Sequence, residues 1–495
     1  MAMNALLLYP KCPDTYWSFK HALKFISKKA VNIPLGILTV SSLLPGTWKK
    51  KFVDLNVSKL HNSDILWADM VFISAMTIQQ ESVKEIVATC KKLNKKIVAG
   101  GPLFTEEYEQ FPDIDYFVLN EAEITLPLFL DDLANHAPKR VYQTRQFADI
   151  TLSPIPDYSL IKHKRYAGAT IQYSRGCPYD CEFCDITALF GQKVRTKKTG
   201  QILAELEQIY QVGWRGSVFF VDDNFIGHKQ KLKNELLPAI TNWMAQKNYP
   251  FIFTTEASIN LADDKVLMEM MYKAGFTKVF VGIETPEESC LMECNKLQNK
   301  QRNLLESVNN IQKQGMEVTA GFIVGFDNDP SNIFQRQVDL IQRSGIVTAM
   351  VGLLNAPRLS KLYIRLKNEG RILDDCTGDN TNYSMNFIPM MDKNELLLGY
   401  QQIIHDIYSS KSYDERVRVY LKQYTPPFRQ RKGINFDEFK ALLKSVVFLG
   451  IINRGRKYYW KLLAWSLWNR PRLIPLAITY SIYGYHFRKV FRNLS

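Results

Sequence analysis

Three cysteines crowd one short run, Arg175-Gly176-Cys177-Pro178-Tyr179-Asp180-Cys181-Glu182-Phe183-Cys184. Soft thiolates this close together on a loop suit an iron–sulfur cluster. Three of them can hold three irons of a cubane and leave the fourth open to a small molecule, and an open iron can do chemistry. Zinc is the other reading of such spacing, but a structural zinc site needs a fourth ligand and no nearby His or Cys completes the set. Cys290 and Cys294 form a second pair with the same deficit and read as structural. With Cys12, Cys90 and Cys376 the total is eight in 495 residues, too sparse for a disulfide framework. The seven histidines are scattered, with only His228 close to an expected site loop, and no Ser-His-Asp or paired-carboxylate arrangement can be assembled. Tyr166, Tyr173 and Tyr179 are candidates for shaping a pocket, with ordinary packing as the plainer reading.

The elements that must position this loop are legible from periodicity. In residues 1–150, short apolar runs (Asn4 to Leu8, Lys51 to Leu55, Met70 to Ser74, Lys96 to Ala99, Tyr116 to Leu119) alternate with helix-capable stretches such as Gln80 to Leu93. That alternation predicts a Rossmann-like α/β domain with a parallel sheet covered on both faces. Gly100-Gly101-Pro102 follows a strand directly, where an open α/β sheet places ligand loops. From 151 to 360 the pattern repeats at helix-sized intervals. Expected strands are Gly168 to Tyr173, Ser217 to Val221, Ile252 to Thr255, Lys278 to Gly282, Glu317 to Val324 and Thr348 to Leu353. This predicts a β/α partial TIM barrel with the cysteine loop at the end of its first strand. Residues 361–495 read as a mostly helical C-terminal extension.

The net charge of +14 sits entirely in the tail, because Lys411 to Ser495 holds 18 Lys and Arg against four acids. A nucleic-acid-binding function is therefore not expected. The last 55 residues contain Trp460, Trp465 and Trp468, ten basic residues and no Asp or Glu. The longest uncharged stretch, Leu473 to Phe487, is shorter than a membrane span and is broken by Pro475 and Gly484. It reads as an interfacial helix or as a basic cap on the barrel. The N-terminus (Asn4 to Pro10) lacks a basic leader and long apolar core and reads as a buried strand, so a cytoplasmic protein, peripheral at the inner face of the membrane, is expected.

The spacing Cys177-x3-Cys181-x2-Cys184, with Phe183 before the third Cys, resembles the signature of radical S-adenosylmethionine (SAM) enzymes. The resemblance implies a 4Fe–4S cluster on the three cysteines, SAM chelated to the open iron, and a 5′-deoxyadenosyl radical that abstracts hydrogen from carbon. Motifs in family order extend it. Asp222 and Asp223 stand where the methionine amino group is met, although the familiar Gly-Gly-Glu form is absent. Glu256 is placed near the methionyl or ribose region, Glu284 near ribose or substrate, and Gly321 and Gly325 on the adenine side. The α/β module, through Asp54-Leu55-Asn56, Gly100-Gly101-Pro102 and Asn120-Glu121-Ala122-Glu123, resembles the cobalamin-binding domain of the radical methyltransferases. Arg454 to Trp460 and Tyr483 to Phe487 resemble the extension of the branch that includes hopanoid C-methylases. A cobalamin-dependent C-methyltransferase is implied, acting on an unactivated carbon of a lipid, a polycyclic terpenoid or another small molecule. An electron donor such as flavodoxin or ferredoxin goes with it. A peptide or small-metabolite methylase, or a cobalamin-independent radical enzyme, is the alternative. The Asp-x-His-x-x-Gly motif that supplies histidine to cobalt is absent, so no cobalt ligand is named.

Overall fold

The computed structural model describes residues 2–379, 381–425 and 436–493. Part of the basic tail, residues 426–435, lies outside the described residues. The first region supplies β1 (Asn4–Tyr9), β2 (Ala30–Asn32), β3 (Lys49–Asp54), β4 (Met70–Ser74), β5 (Lys96–Gly100), β6 (Tyr116–Val118) and β7 (Val141–Tyr142). All but β2 form a parallel sheet in the order β3-β1-β4-β5-β6-β7. Successive side chains of β1 enter opposite cores. Ala5 and Leu7 face one cluster and Leu6 and Leu8 the other, as both faces of a covered parallel sheet require. The helix Gln80–Lys92 covers one face with Val83, Ile86, Val87 and Cys90, a single stripe at helical spacing. Because the chain crosses from β3 past β1 to β4, the strand order reverses between β1 and β4, the place where open α/β sheets take ligands.

The second sheet contains β8 (Tyr166–Ile171), β11 (Gly216–Phe220), β12 (Phe251–Glu256), β13 (Phe276–Glu284), β14 (Glu317–Val324) and β15 (Ala349–Leu353). A small ribbon, β9 (Ser174–Arg175) and β10 (Arg195–Thr196), stands beside it. The sheet order is β15-β14-β13-β12-β11-β8-β2, parallel throughout, and among the described residues no pairing joins β15 to β2. It is a partial barrel, as expected. One segment departs from the expected layout: β2, from the first region, is the barrel's edge strand. Gly168 permits this, since a Cβ there would lie 2.5 Å from Asn32 Oδ1. Thr170 Oγ1 then donates to the Ile33 carbonyl at 2.8 Å, and Tyr166 Oη donates to Asp54 Oδ2 at 2.8 Å. The two α/β units are thus laced together by a segment that leaves one and returns.

The C-terminal helices Lys393–Tyr408, Ser410–Gln423, Phe436–Ser445, Arg456–Asn469 and Ile474–Val490 cover the open flank of the barrel. Phe487 stacks on Tyr16 at 4.4 Å, Tyr16 and Tyr408 share a 2.8 Å hydroxyl–hydroxyl hydrogen bond, and His486 Nε2 donates to the Tyr16 carbonyl at 2.9 Å. Beside this seam Trp17 turns into the lumen, its Nε1–H on Met350 Sδ at 3.1 Å and its ring edge-on to Phe280 at 5.5 Å. Of the two expectations for Leu473 to Phe487, the structure shows a packed cap. No helix among the described residues is long and apolar enough to cross a membrane.

Candidate functional site

Glycine decides how the cysteine loop leaves the barrel. Gly176 has φ +90°, and a Cβ there would stand 2.8 Å from the Gly191 carbonyl and 2.9 Å from that of Lys193. Only glycine takes that course. The loop beyond is staked from several sides. Cys177 N–H donates to the Gly191 carbonyl at 3.2 Å, and Glu182 N–H donates to that of Cys294 at 2.9 Å. Asn260 Nδ2, after β12, donates to Tyr179 Oη at 2.7 Å. Arg365 forks onto Glu182 at 2.7 and 3.1 Å, and Lys361 pairs with Asp180. The helix Lys361–Asn368 of the C-terminal region therefore grips the loop.

All three thiols are free. Burial raises their pKa, most for Cys184, while the Lys296 ammonium works the other way on each. Lys296 is the cation of this corner, held by a 2.7 Å bond to Glu284 Oε1. Glu284 ends β13 with φ +64°, a left-handed conformation that is strained for a glutamate and found at sites the surroundings over-determine. Gly282 makes room for the pair, since a Cβ would lie 2.2 Å from Glu284 Oε1 and 2.7 Å from Lys296 Nζ. Asn299 Nδ2 donates to the Gly282 and Ile283 carbonyls, both at 3.0 Å, and holds the bend.

The carboxylates divide into two kinds. Asp222 is buried, accepting from Tyr173 N–H at 3.1 Å, from Ser174 Oγ at 2.5 Å and from Ser174 N–H. Both its oxygens serve the strand end before the cysteines, so it is a positioning residue and not the amino-group acceptor the sequence suggested. Asp223 accepts from Gly176 N–H at 2.9 Å through Oδ2 and is used less fully than Asp222. Glu256 accepts no hydrogen bond among the described residues. Burial first, then the Asp223 and Asp222 charges, pushes it up to about 7, and burial raises Asp223 to about 6. The mouth thus holds desolvated, under-partnered carboxyls suited to an incoming cation. The two glycines expected on the adenine side stand in and just beyond β14. Gly321 faces the lumen, where a Cβ would press on the Phe280 ring at 3.1 Å, and Gly325 (φ +106°) forms a turn pinned by Asp329 Oδ2 at 2.6 Å. His228 caps a short helical turn through Nδ1, Tyr166 is bonded to Asp54, and Cys290 donates its thiol hydrogen to Asp329 at 3.2 Å.

The N-terminal domain meets this mouth through ions. Arg175, one residue before Gly176, donates to Glu121 Oε2 at 2.8 Å and forks onto Glu123 at 2.7 and 3.1 Å. Arg195 forks onto Glu121 at 2.7 and 2.9 Å. Burial opposes ionisation of Glu123, but Arg175 overrides it and holds the carboxyl at about 2. Farther along the seam, burial and then the charge of Asp185 opposite raise the pKa of Glu106, and burial raises that of Asp185. At the sheet's switch point Asp54, Asn56 and Gln79 tie the ends of β1, β3 and β4 together, Asn56 Nδ2 and Gln79 Nε2 both donating to the Pro10 carbonyl. Gly101 (φ +96°) turns into the helix Pro102–Glu107, and a Cβ on Gly100 would meet the Val118 carbonyl at 2.5 Å. No histidine follows these strand ends closely, and His61 instead caps the helix Asn62–Trp67.

Arg175, Arg195, Lys296, Asn299, Lys361 and Arg365 were not anticipated. Arg175 alone carried a local signal, standing beside the cysteine run.

Comparison with known proteins agrees with this anatomy. Residues 171–341 match the radical SAM superfamily, 26–130 the B12 binding domain, and 360–495 a domain of unknown function (DUF4070). An uncharacterised methyltransferase of Synechocystis is 37% identical over 98% of this chain and 91% of its own length. The hopanoid C-2 methylase of Rhodopseudomonas palustris is 32% identical over 92% of this chain and 88% of its own. The chain belongs to the radical SAM enzymes that carry a B12 binding domain. Its fold is that of OxsB, a cobalamin-dependent SAM radical enzyme (TM-score 0.62, 16% identity, 100% of this chain and 80% of that one). It is also that of the radical SAM methyltransferase TsrM of Kitasatospora setae (TM-score 0.60, 13% identity, 80% and 84%).

The residues fit the family's groups. Three separate thiols on one staked loop suit a cubane, where each takes its own iron. The acid mouth suits the ammonium and sulfonium of SAM. The B12-type domain presents short side chains and backbone at β4 and β5, with no imidazole for cobalt.

Two outcomes are expected. Lys296→Met leaves Glu284 buried and unpaired, and thermal unfolding should show a loss of about 3–5 kcal/mol, most of it recovered in Lys296→Met/Glu284→Gln. Glu123 has a folded pKa below its unfolded one, so its contribution is fully present above about pH 4.5 and is lost as pH falls toward 2. Acid titration of intrinsic fluorescence should show an inter-domain transition in that window, and Glu123→Gln should flatten it.

Proposed function

We propose that this protein is a cobalamin-dependent radical SAM C-methyltransferase whose substrate is an apolar, polycyclic lipid-like molecule. The carrying observation is the ionic seam. Glu121 and Glu123, after β6 of the B12-type sheet, are locked onto Arg175 and Arg195 at the foot of the cysteine loop. Both ligand-bearing edges are thereby held against one another, as methyl transfer between two bound groups requires.

Cys177, Cys181 and Cys184 would hold the 4Fe–4S cluster, Asp223 and Glu256 would receive the cationic end of SAM, and the β1/β4 crevice with Gly100 and Gly101 would seat cobalamin. When bound, these groups supply one-electron reduction, hydrogen abstraction from carbon and a transferable methyl group. The chain's own residues place and exclude. Lys296 offsets the negative charge of three thiolates in a buried corner, and Asp222 and Gly176 fix the direction in which the loop leaves the barrel. Trp17, Phe280 and Met350 meet in the lumen and give it an apolar floor. That apolar floor, with the 32% identity to a hopanoid methylase, favours a lipid-like substrate over a peptide. A flavodoxin- or ferredoxin-type donor is the expected electron source, and the cytoplasm the expected compartment.

Anaerobic reconstitution tests this reading. Replacing Cys177, Cys181 and Cys184 together by Ala should abolish the iron–sulfur absorption and SAM cleavage, and survival of either sinks the assignment. Reconstitution with hydroxocobalamin should give stoichiometric cobalt in wild type. An intact iron cluster without cobalt would reduce the N-terminal domain to a scaffold.

A further inference from the structure

The outer face of the C-terminal extension is apolar and uncovered. Helix Arg456–Asn469 turns Tyr459, Leu462 and Ser466 inward. Its opposite side exposes Trp460, Leu467 and Trp468, at helical spacing and with Trp468 90% exposed, so the helix is apolar on two sides. The preceding segment Val446–Ile452 repeats this, burying Leu449 while Phe448, Ile451 and Ile452 face out. The two lie together: Trp460 Nε1 donates to the Gly450 carbonyl at 2.9 Å, and a Cβ on Gly450 would meet the Trp460 ring at 2.9 Å. Their exposed residues therefore form one patch, larger in kind than the scattered apolar residues of ordinary surfaces.

Charge identifies the occupant. The patch is bordered by Arg454, Arg456, Lys457 and Lys461, all exposed and none in an ion pair among the described residues. Residues 441–495 contain ten Lys and Arg and not one acid to balance them. A second copy docked face to face would set one predominantly basic rim against another. An anionic lipid surface satisfies both features at once, taking the indole and aliphatic groups at the headgroup boundary and pairing its phosphates with the bases. We propose that this face docks the protein on an anionic membrane, with Phe448, Ile452, Leu467 and Trp468 entering the interface and Arg454, Arg456 and Lys457 meeting the headgroups. The extension lies on the bilayer and does not cross it. This goes beyond the methyl-transfer reading and does not depend on it.

Flotation of the full chain tests it, using vesicles of phosphatidylcholine alone or mixed with phosphatidylglycerol. Wild type should float with the mixed vesicles and be released by salt. Leu467→Ser/Trp468→Ser and, separately, Arg454→Glu/Arg456→Glu/Lys457→Glu should each lower binding at least roughly tenfold. Circular dichroism and reconstituted SAM cleavage should be unchanged, since these side chains stand on the surface away from the cysteines. The proposal is overturned by absence of flotation, by equal binding to neutral vesicles, or by variants that float like wild type. A concentration-dependent dimer abolished by Leu467→Ser/Trp468→Ser would overturn it too, making the face a contact between copies.

Discussion

Arg175 is the point on which the assembly turns. Its guanidinium is almost wholly removed from water and meets two carboxylates of another domain, while Arg195 meets one of them from the other side. Two arginines and two glutamates balance, and the forked geometry uses the planar donors that lysine lacks. Burying such a group is costly unless every partner is present, so domain position is specified strongly: a shift of either domain would strand a charge. Because Arg175 is chained to Gly176 and Cys177, the same constraint sets the cysteine loop relative to the B12-type sheet.

Around that fixed point the loop is held by residues with nothing to do with its chemistry. Glu182 and Asp180, between the cysteines, are clamped by Arg365 and Lys361 from beyond the barrel, and Arg365 and Arg371 share Asp327. The interior of the site is then electrostatically divided. Lys296 sits on the thiol side, paired to a glutamate in a strained backbone conformation, and the unpaired carboxyls of Glu256 and Asp223 sit across the mouth. Burial and mutual repulsion hold these acids at raised pKa, and a cationic ligand would relieve the penalty.

The C-terminal extension has two faces with separate tasks. Inward, Tyr16, Tyr408 and Phe487 seal the barrel flank and carry Trp17 into the lumen. Outward, Arg454, Arg456, Lys457 and Lys461 are exposed and form no ion pair among the described residues, and Trp468 stands 90% exposed.

The sequence by itself determined what is local or periodic. The cysteine spacing lies within one loop, strands declare themselves by continuous apolar runs, and helices by a single stripe. Hence the α/β domain, the partial barrel and the iron–sulfur loop were legible, together with the concentration of charge in the tail. Tertiary structure alone decided the partners. Arg175 finds Glu121 and Glu123 across the domain boundary, Arg365 reaches back to Glu182, and β2 leaves its own domain for the barrel edge because Gly168 lets it approach. It also reassigned Asp222, which looks like a ligand in sequence but has both oxygens committed to backbone and a serine. No pattern along the chain encodes such pairings, because buried ions and close backbone approaches depend on distances that only folding sets. Chemistry was written in neighbouring residues, and the geometry that directs it was written between residues far apart.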